Sequence, residues 1–207
     1  QGMRTPYYRE QALEGIAREV ITAYDQSLYH GVPTMIPIED IIEAQGLTLE
    51  FQCLRKTGSV LGETIFDDGG AVIYDRDIPG YTIIEVKSGT ILIDDSLCGE
   101  DSSTGRLRFT CAHELAHWLL HKQLYRGTGE SAAMVTESSI TQSQNNILET
   151  QANLLGAILL MPRPQLKRCF YRLQPGRDRQ RLVTDMADVF QVSKQAMRIR
   201  LENQQLL

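Results

Sequence analysis

The strongest constraint in this 207-residue chain is a hydrophobic period that changes twice. From Tyr7 to about Ser27 the apolar positions Leu13, Ile16, Ala17, Val20, Ile21 and Tyr24 recur at helical spacing. A short second helix is predicted over Ile38–Ala44, closed by Gly46. Between residues 47 and 94 the pattern shortens: LTLEFQCL (47–54), SVLGETIF (59–66), AVIYD (71–75), TIIEV (82–86) and TILID (90–94) are β-branched or alternating. KTG, DDGG, IPG and KSG separate them, so they read as antiparallel strands of one sheet with tight turns. Helical spacing then returns, from about Gly105 to Lys122 and again over about Asn146–Leu160, the latter apolar almost all round and hence buried. MPRP (161–164) stops that helix, and two or three basic helices follow. The polar, Ser/Thr-rich stretch 126–146 reads as a long loop. The fold class is therefore α+β: a small antiparallel or mixed sheet packed on helices, with a helical C-terminal segment.

A chain of this length supports one domain with a sizeable core, and 42% hydrophobic with 23% charged residues is ordinary for a globular protein. The longest apolar run, LLGAILLM (154–161), is far short of the roughly 20 residues a bilayer span needs. The opening QGMRTPYYREQALEG has no apolar stretch of the signal-peptide kind, and Gln1-Gly2 ahead of Met3 are left out of the fold reading. The four cysteines (53, 98, 111, 169) show no CxxC spacing and read as free thiols, so the chain is expected in the cytoplasm without a membrane partner. Residues 1–162 carry 11 basic and 22 acidic side chains, whereas 163–207 carry 10 and 4. Such a split predicts either a basic tail packed on an acidic body or a basic face open to an acidic partner, and the first is favoured.

The chemistry concentrates in RLRFTCAHELAHWLLH (106–121). His113 and His117 lie four apart, which on a helix puts both imidazoles on one face within reach of a single ion. Zinc takes imidazole nitrogen at about 2.0–2.1 Å in a tetrahedral shell, with one position left for water in catalytic sites. Glu114, next to the first ligand, is placed to take a proton from a zinc-bound water and return it to a leaving amine. HExxH on a helix is a recognised form of this arrangement. His121 lies a further four residues on, about 12 Å along the axis from His113, with nothing in HWLLH to bend the helix. It is set aside as a ligand and read as a supporting or structural residue. The third ligand is sought in LETQANLLGAILLMP (148–162). Glu149 is a carboxylate at the start of an apolar helix and needs a strong partner if buried. It also fits an exposed acid facing a helix N-terminus. Asn153, four residues later, is placed to hydrogen-bond the far nitrogen of a ligand histidine.

RFTCAHELAHWLLH, ETQANLLGAILLMP and MADVFQVSKQAMRIRL together resemble the signature blocks of the ImmA/IrrE family of metallopeptidases. The resemblance implies a zincin-like fold, expected over residues 3–162, and the charge split leaves 163–207 as a basic helical segment expected to pack on the same domain. It also implies Zn2+ as cofactor, His113, His117 and Glu149 as ligands, and Glu114 as catalytic base. Family members typically cleave helix-turn-helix repressors of prophage, mobile-element or stress genes, so a protein substrate of that kind is the expected partner. Gln151 and Leu155 depart from residues common in the family at those positions.

VTDMADVFQVSKQAMRIRL (183–201) is spaced like a helix, a tight turn and a second helix capped by Ser193. Lys194, Arg198 and Arg200 supply charge for phosphates or for a protein partner. Packing on the catalytic body is favoured over DNA binding, because the chain is acidic and the turn lacks glycine. Cys111 reads as a small buried helix residue and His30 as a turn residue. The leading expectation is a zinc endopeptidase. The alternative is a DNA-associated regulator that uses residues 184–201 and keeps a structural or sensory metal site.

Overall fold

In a computed structural model that describes residues 6–99, 103–125 and 142–207, the helical and extended periods of the sequence become distinct elements. The first helical stretch divides into α1 (Glu10–Tyr24) and one turn, α2 (Ser27–His30). The break follows Asp25, whose carboxylate accepts from the Ser27 amide at 2.7 Å and so offers the backbone an alternative to continuing the helix. α3 (Ile38–Ala44) carries Ile38, Ile41 and Ile42 inward, and Gly46 beyond its end takes φ +75°, a conformation glycine adopts without strain.

The extended segments form β1 (Thr48–Gln52), β2 (Gly62–Thr64), β3 (Gly69–Asp75), β4 (Gly80–Val86) and β5 (Thr90–Asp94). They do not make the one antiparallel sheet that the turn signals suggest. β3 and β4 pair only with each other, as a hairpin, while β1, β5 and β2 form a separate three-stranded sheet in that order. β5 runs parallel to β1 and antiparallel to β2, a mixed arrangement. The physical reason is burial. All five residues of β5 are buried, with Ile91 and Ile93 in the helical core and Leu92 under the hairpin with Leu54, Ile65, Ala71, Ile73 and Val86. A strand covered on both faces belongs at the centre of a sheet, and β5 takes that place although it comes last.

The remaining helices are α4 (Thr104–Tyr125), α5 (Gln142–Leu160), α6 (Arg163–Leu173), α7 (Arg179–Phe190) and α8 (Lys194–Asn203). α5 thus begins inside the stretch expected as loop, and residues 126–141 of that expectation lie outside the described residues. The main core joins α1, α3, one face of β5, α4, α5 and the C-terminal helices, through residues such as Leu13, Ile41, Ile93, Leu115, Ile158, Phe170, Met186, Phe190 and Leu201. α5 is not apolar all round: Glu149, Thr150 and Asn153 form an open side, and Ile147 is also exposed.

α7 and α8 meet through a turn in which Gln191 holds φ 52°, ψ 50°, a left-handed conformation at a position where glycine would be relaxed. The turn is held from outside. Arg108, buried in α4, donates to the carbonyls of Gln191 (3.1 Å) and Ile36 (2.7 Å). Gly105 lets α4 approach so closely that a Cβ there would lie 3.0 Å from the Ser193 nitrogen. Ser193 caps α8 by accepting from the Ala196 amide at 3.1 Å.

Arg200 corrects one expectation. It is 1% exposed and faces inward, bonding Glu10 at 3.0 Å, Glu14, and the Met161 carbonyl at 3.3 Å. A guanidinium enclosed by two carboxylates and a carbonyl is a clamp between α8, α1 and the end of α5, not a contact for phosphate or a partner. Lys194 and Arg198 remain exposed. Among the described residues no helix is long and apolar enough to cross a membrane.

Candidate metal centre

α4 carries His113 and His117 one turn apart, and α5 crosses it at a point fixed by Gly156. A Cβ at Gly156 would lie 3.2 Å from the His113 nitrogen and 3.4 Å from its Cα, so only glycine permits this separation without a shift. From that crossing, Glu149 lies two turns back along α5 and returns over the two imidazoles. Its Oε2 is 3.2 Å from His113 Nε2 and its Oε1 is 3.3 Å from His117 Nε2. The two Nε2 atoms are 3.0 Å apart.

What turns these atoms inward is the bonding of the far nitrogens. His113 Nδ1 donates to Asn153 Oδ1 at 2.9 Å. His117 Nδ1 lies 3.0 Å from His121 Nδ1, and His121 Nε2 lies 3.1 Å from Gln151 Oε1. The Gln151 amide nitrogen in turn donates to the Pro6 carbonyl at 2.6 Å, which leaves Oε1 as the acceptor facing His121. Read from that anchor, His121 donates to Gln151 and accepts from His117. Each of His113 and His117 therefore keeps its proton on Nδ1 and presents a lone pair at Nε2. Burial, together with neighbouring His117, pushes the His121 imidazole down to about 4, so it stays neutral as this chain of bonds requires.

Two imidazole nitrogens and the two oxygens of one carboxylate, facing one another at 3.0–3.3 Å, repel unless positive charge lies among them. The titration of the group reflects this. Burial works against a charged His113, yet Glu149 and Glu114 lift its affinity for a proton above the ordinary value. Burial likewise opposes a charged Glu149, but its bonds to His113 and His117 hold it well below the usual carboxylate range. A cation does the same work with more charge. Ligand atoms about 2.0–2.1 Å from one tetrahedral ion are separated by roughly 3.3 Å, which is the spacing of this set. The nitrogen, nitrogen and carboxylate donors fit zinc.

Glu114 lies beside the group, buried against β2. The Thr64 hydroxyl is 2.6 Å from Glu114 Oε2 and 3.0 Å from the Glu114 carbonyl, which fixes one carboxylate oxygen and leaves the other. Gly62 makes the room, since a Cβ there would lie 2.7 Å from Glu114 Cγ and Oε1. His113, Glu114, His117 and Glu149 line one cleft of about 370 Å³, with Ser59–Gly62 of the β2 arm and Phe109 on its walls.

The structure thus brings together His113, His117 and Glu149 around one point, with Asn153 and His121 each holding a histidine from behind. Lys194 and Arg198 lie elsewhere, on α8. Sequence reasoning does not anticipate the roles of Gln151, Thr64 or Gly62. Gln151 stands out in the sequence only as a departure from the family, two residues after Glu149. Thr64 and Gly62 give no signal, because their roles depend on β2 lying against α4. Cys111 is fully buried in the hydrophobic core, which pushes its thiol up to about 12, and it does not belong to the group that converges on this point.

Residues 97–202 match the family model described as "IrrE N-terminal-like domain" (Peptidase_M78). No curated protein matches the chain. Among solved structures, the fold is similar to a Mycobacterium tuberculosis transcriptional regulator with a TM-score of 0.50 at 12% identity, over 92% of this chain and 46% of that one. This chain therefore spans less than half the length of that protein. The stretch matched by the family model contains α4, α5 and every residue that meets at the cleft except those of the β2 arm, and the chain belongs to this IrrE-like peptidase family.

Proposed function

We propose that the protein is a zinc-dependent endopeptidase whose substrate is a helix-turn-helix transcriptional repressor. The observation that carries the peptidase part is the convergence of His113 Nε2, His117 Nε2 and Glu149 on one point, with Glu114 alongside. His113, His117 and Glu149 would hold the ion, which when bound supplies Lewis acidity toward a water and the scissile carbonyl. Glu114 accepts the water's proton on the carboxylate oxygen that Thr64 does not bind, and delivers it to the departing amine nitrogen. Asn153 and the His121–Gln151 pair keep the two imidazoles in the tautomer that presents Nε2. β2 is an edge strand of its sheet and borders the cleft, so an extended peptide can add to it with its backbone across the site. A purely structural metal site needs ligands but no base, and Glu114 argues against one.

The repressor assignment rests on the family resemblance. The alternative, a DNA-associated regulator acting through residues 184–201, has less support, because Arg200 faces the interior and only Lys194 and Arg198 of that set remain exposed. The test is elemental analysis of purified protein together with Glu114→Gln against a helix-turn-helix repressor encoded beside it. One zinc per chain, and cleavage that Glu114→Gln abolishes, is the expected result. Absence of zinc, or cleavage unchanged by the substitution, defeats the reading. Salt-dependent DNA binding lost in Lys194→Glu/Arg198→Glu would favour the alternative.

A further inference from the structure

A second, larger cavity of about 820 Å³ lies beside the cleft, formed by the N-terminal half of α4, the open side of α5 and α8. Its apolar lining is Phe109, Leu154, Ala157, Val192, Ala196 and Ile199. Contiguous exposed apolar surface in a folded protein commonly marks an interaction site. Ile199 is 49% exposed within it. The trough is continuous with the proposed active site at two points. Phe109 lines both cavities, and Asn153 lines the trough while bonding His113.

We propose that this trough receives an amphipathic helix of the same polypeptide that is cleaved at the metal centre, an inference that rests on the peptidase reading. The walls decide between a helix and a strand. They are helical faces, with positions 150, 153, 154 and 157 on α5 opposite 195, 196, 199 and 203 on α8. Backbone groups inside a helix are already bonded to one another, so these walls have no ladder to offer an extended chain. They offer side chains only, and the occupant must satisfy its own backbone, as a helix does. The lengths agree: each wall runs about 10–12 Å, and an apolar stripe at i, i+3, i+4 and i+7 spans about 10 Å. The site would then hold its substrate in two ways, an extended segment along β2 through the backbone and a folded helix in the trough through side chains. Selectivity for a helical protein over an unstructured peptide comes from the second.

The test separates this inference from the peptidase reading. Full-length zinc-loaded protein carrying Glu114→Gln is titrated with a fluorescent pool of bridged helical peptides of about 16 residues that vary the apolar stripe. A pool of identical composition with the stripe scrambled is the control. Ile199→Asp and Gln195→Trp, both at open positions, are each expected to weaken binding of the striped pool about tenfold or more, with zinc content unchanged. Equal binding of the scrambled pool, no binding of either pool, or full binding by both variants overturns the proposal. So does concentration-dependent self-association lost in Ile199→Asp, which would assign the trough to a second copy. With the active protein, joining a striped helix to a short cleavable peptide lowers KM and leaves kcat unchanged, and Ile199→Asp removes that gain. If no peptide is cleaved the peptidase reading fails, while the titration still decides the trough.

Discussion

Among the described residues two groups of side chains bring metal-ligating atoms close together, His113–His117–Glu149 and Cys53–Asp94–Asp95, and they differ in where their hydrogen bonds come from. In the second group the carboxylates already face donors. Asp94 Oδ2 accepts from the Leu54 amide at 2.9 Å and Oδ1 from the Ser96 amide at 3.1 Å, and Asp95 accepts two bonds from the Arg76 guanidinium at 2.7 and 2.8 Å. These bonds close the turn after β5 and stitch it to the chain leaving β1, so a cation would have to displace them. In the first group every imidazole N–H is directed outward, to Asn153 or through His121 to Gln151, and the inward atoms are all acceptors. What separates a binding site from a hydrogen-bonded turn is whether the acceptor atoms already face donors.

Substitutions in the two groups should have opposite consequences, and the largest falls on the histidines. His117→Ala should reduce zinc from about one ion per chain to none retained through dialysis, because two remaining donors do not hold zinc in a structural or catalytic shell. Glu114→Gln should keep the zinc and lower peptide hydrolysis by about 10²–10⁴, measured as kcat on any peptide the parent cleaves. If that substitution also emptied the site, Glu114 would be a ligand and the grouping wrong. Asn153→Ala or Gln151→Ala should weaken zinc affinity about 10–100-fold in a competition titration with a chelator, since each frees a ligand imidazole to rotate. An unchanged affinity would mean that these hydrogen bonds do not set the inward lone pairs. In the second group, Asp94→Asn should leave zinc stoichiometry untouched and cost about 1–3 kcal/mol in denaturant unfolding, because a charge-assisted bond to a buried amide is lost. Cys53→Ser should change neither zinc content nor, beyond about 0.5 kcal/mol, stability.

Much of the local structure is legible in the sequence. The bounds of α3 follow from its three isoleucines and Gly46, and His113 with His117 on one helical face follow from a spacing of four. Other features are not, each for a definite reason. The pairing of β5 with β1 and β2, and the separation of the β3–β4 hairpin, depend on which strand has both faces covered, and that is settled by helices distant in the chain. α5 reads as apolar almost all round because its composition hides an open side that only the trough and the cleft create. Arg200 looks like its neighbour Arg198, and two positions along a helix turn it from solvent to Glu10 and Glu14.

What the residues determined by themselves was periodic and short-range: helix or strand, cap or turn, and two imidazoles four apart on one face. Those properties depend on dihedral preference and side-chain direction within a few residues, so a linear reading reaches them. What only the tertiary structure decided was which distant groups complete one another. Glu149 lies near the histidines because Gly156 lets α5 touch α4 at His113, and the tautomer of His117 is set through His121 and Gln151 by a bond that reaches as far as Pro6. Contacts of that range are chosen by packing, and packing is a property of the whole core.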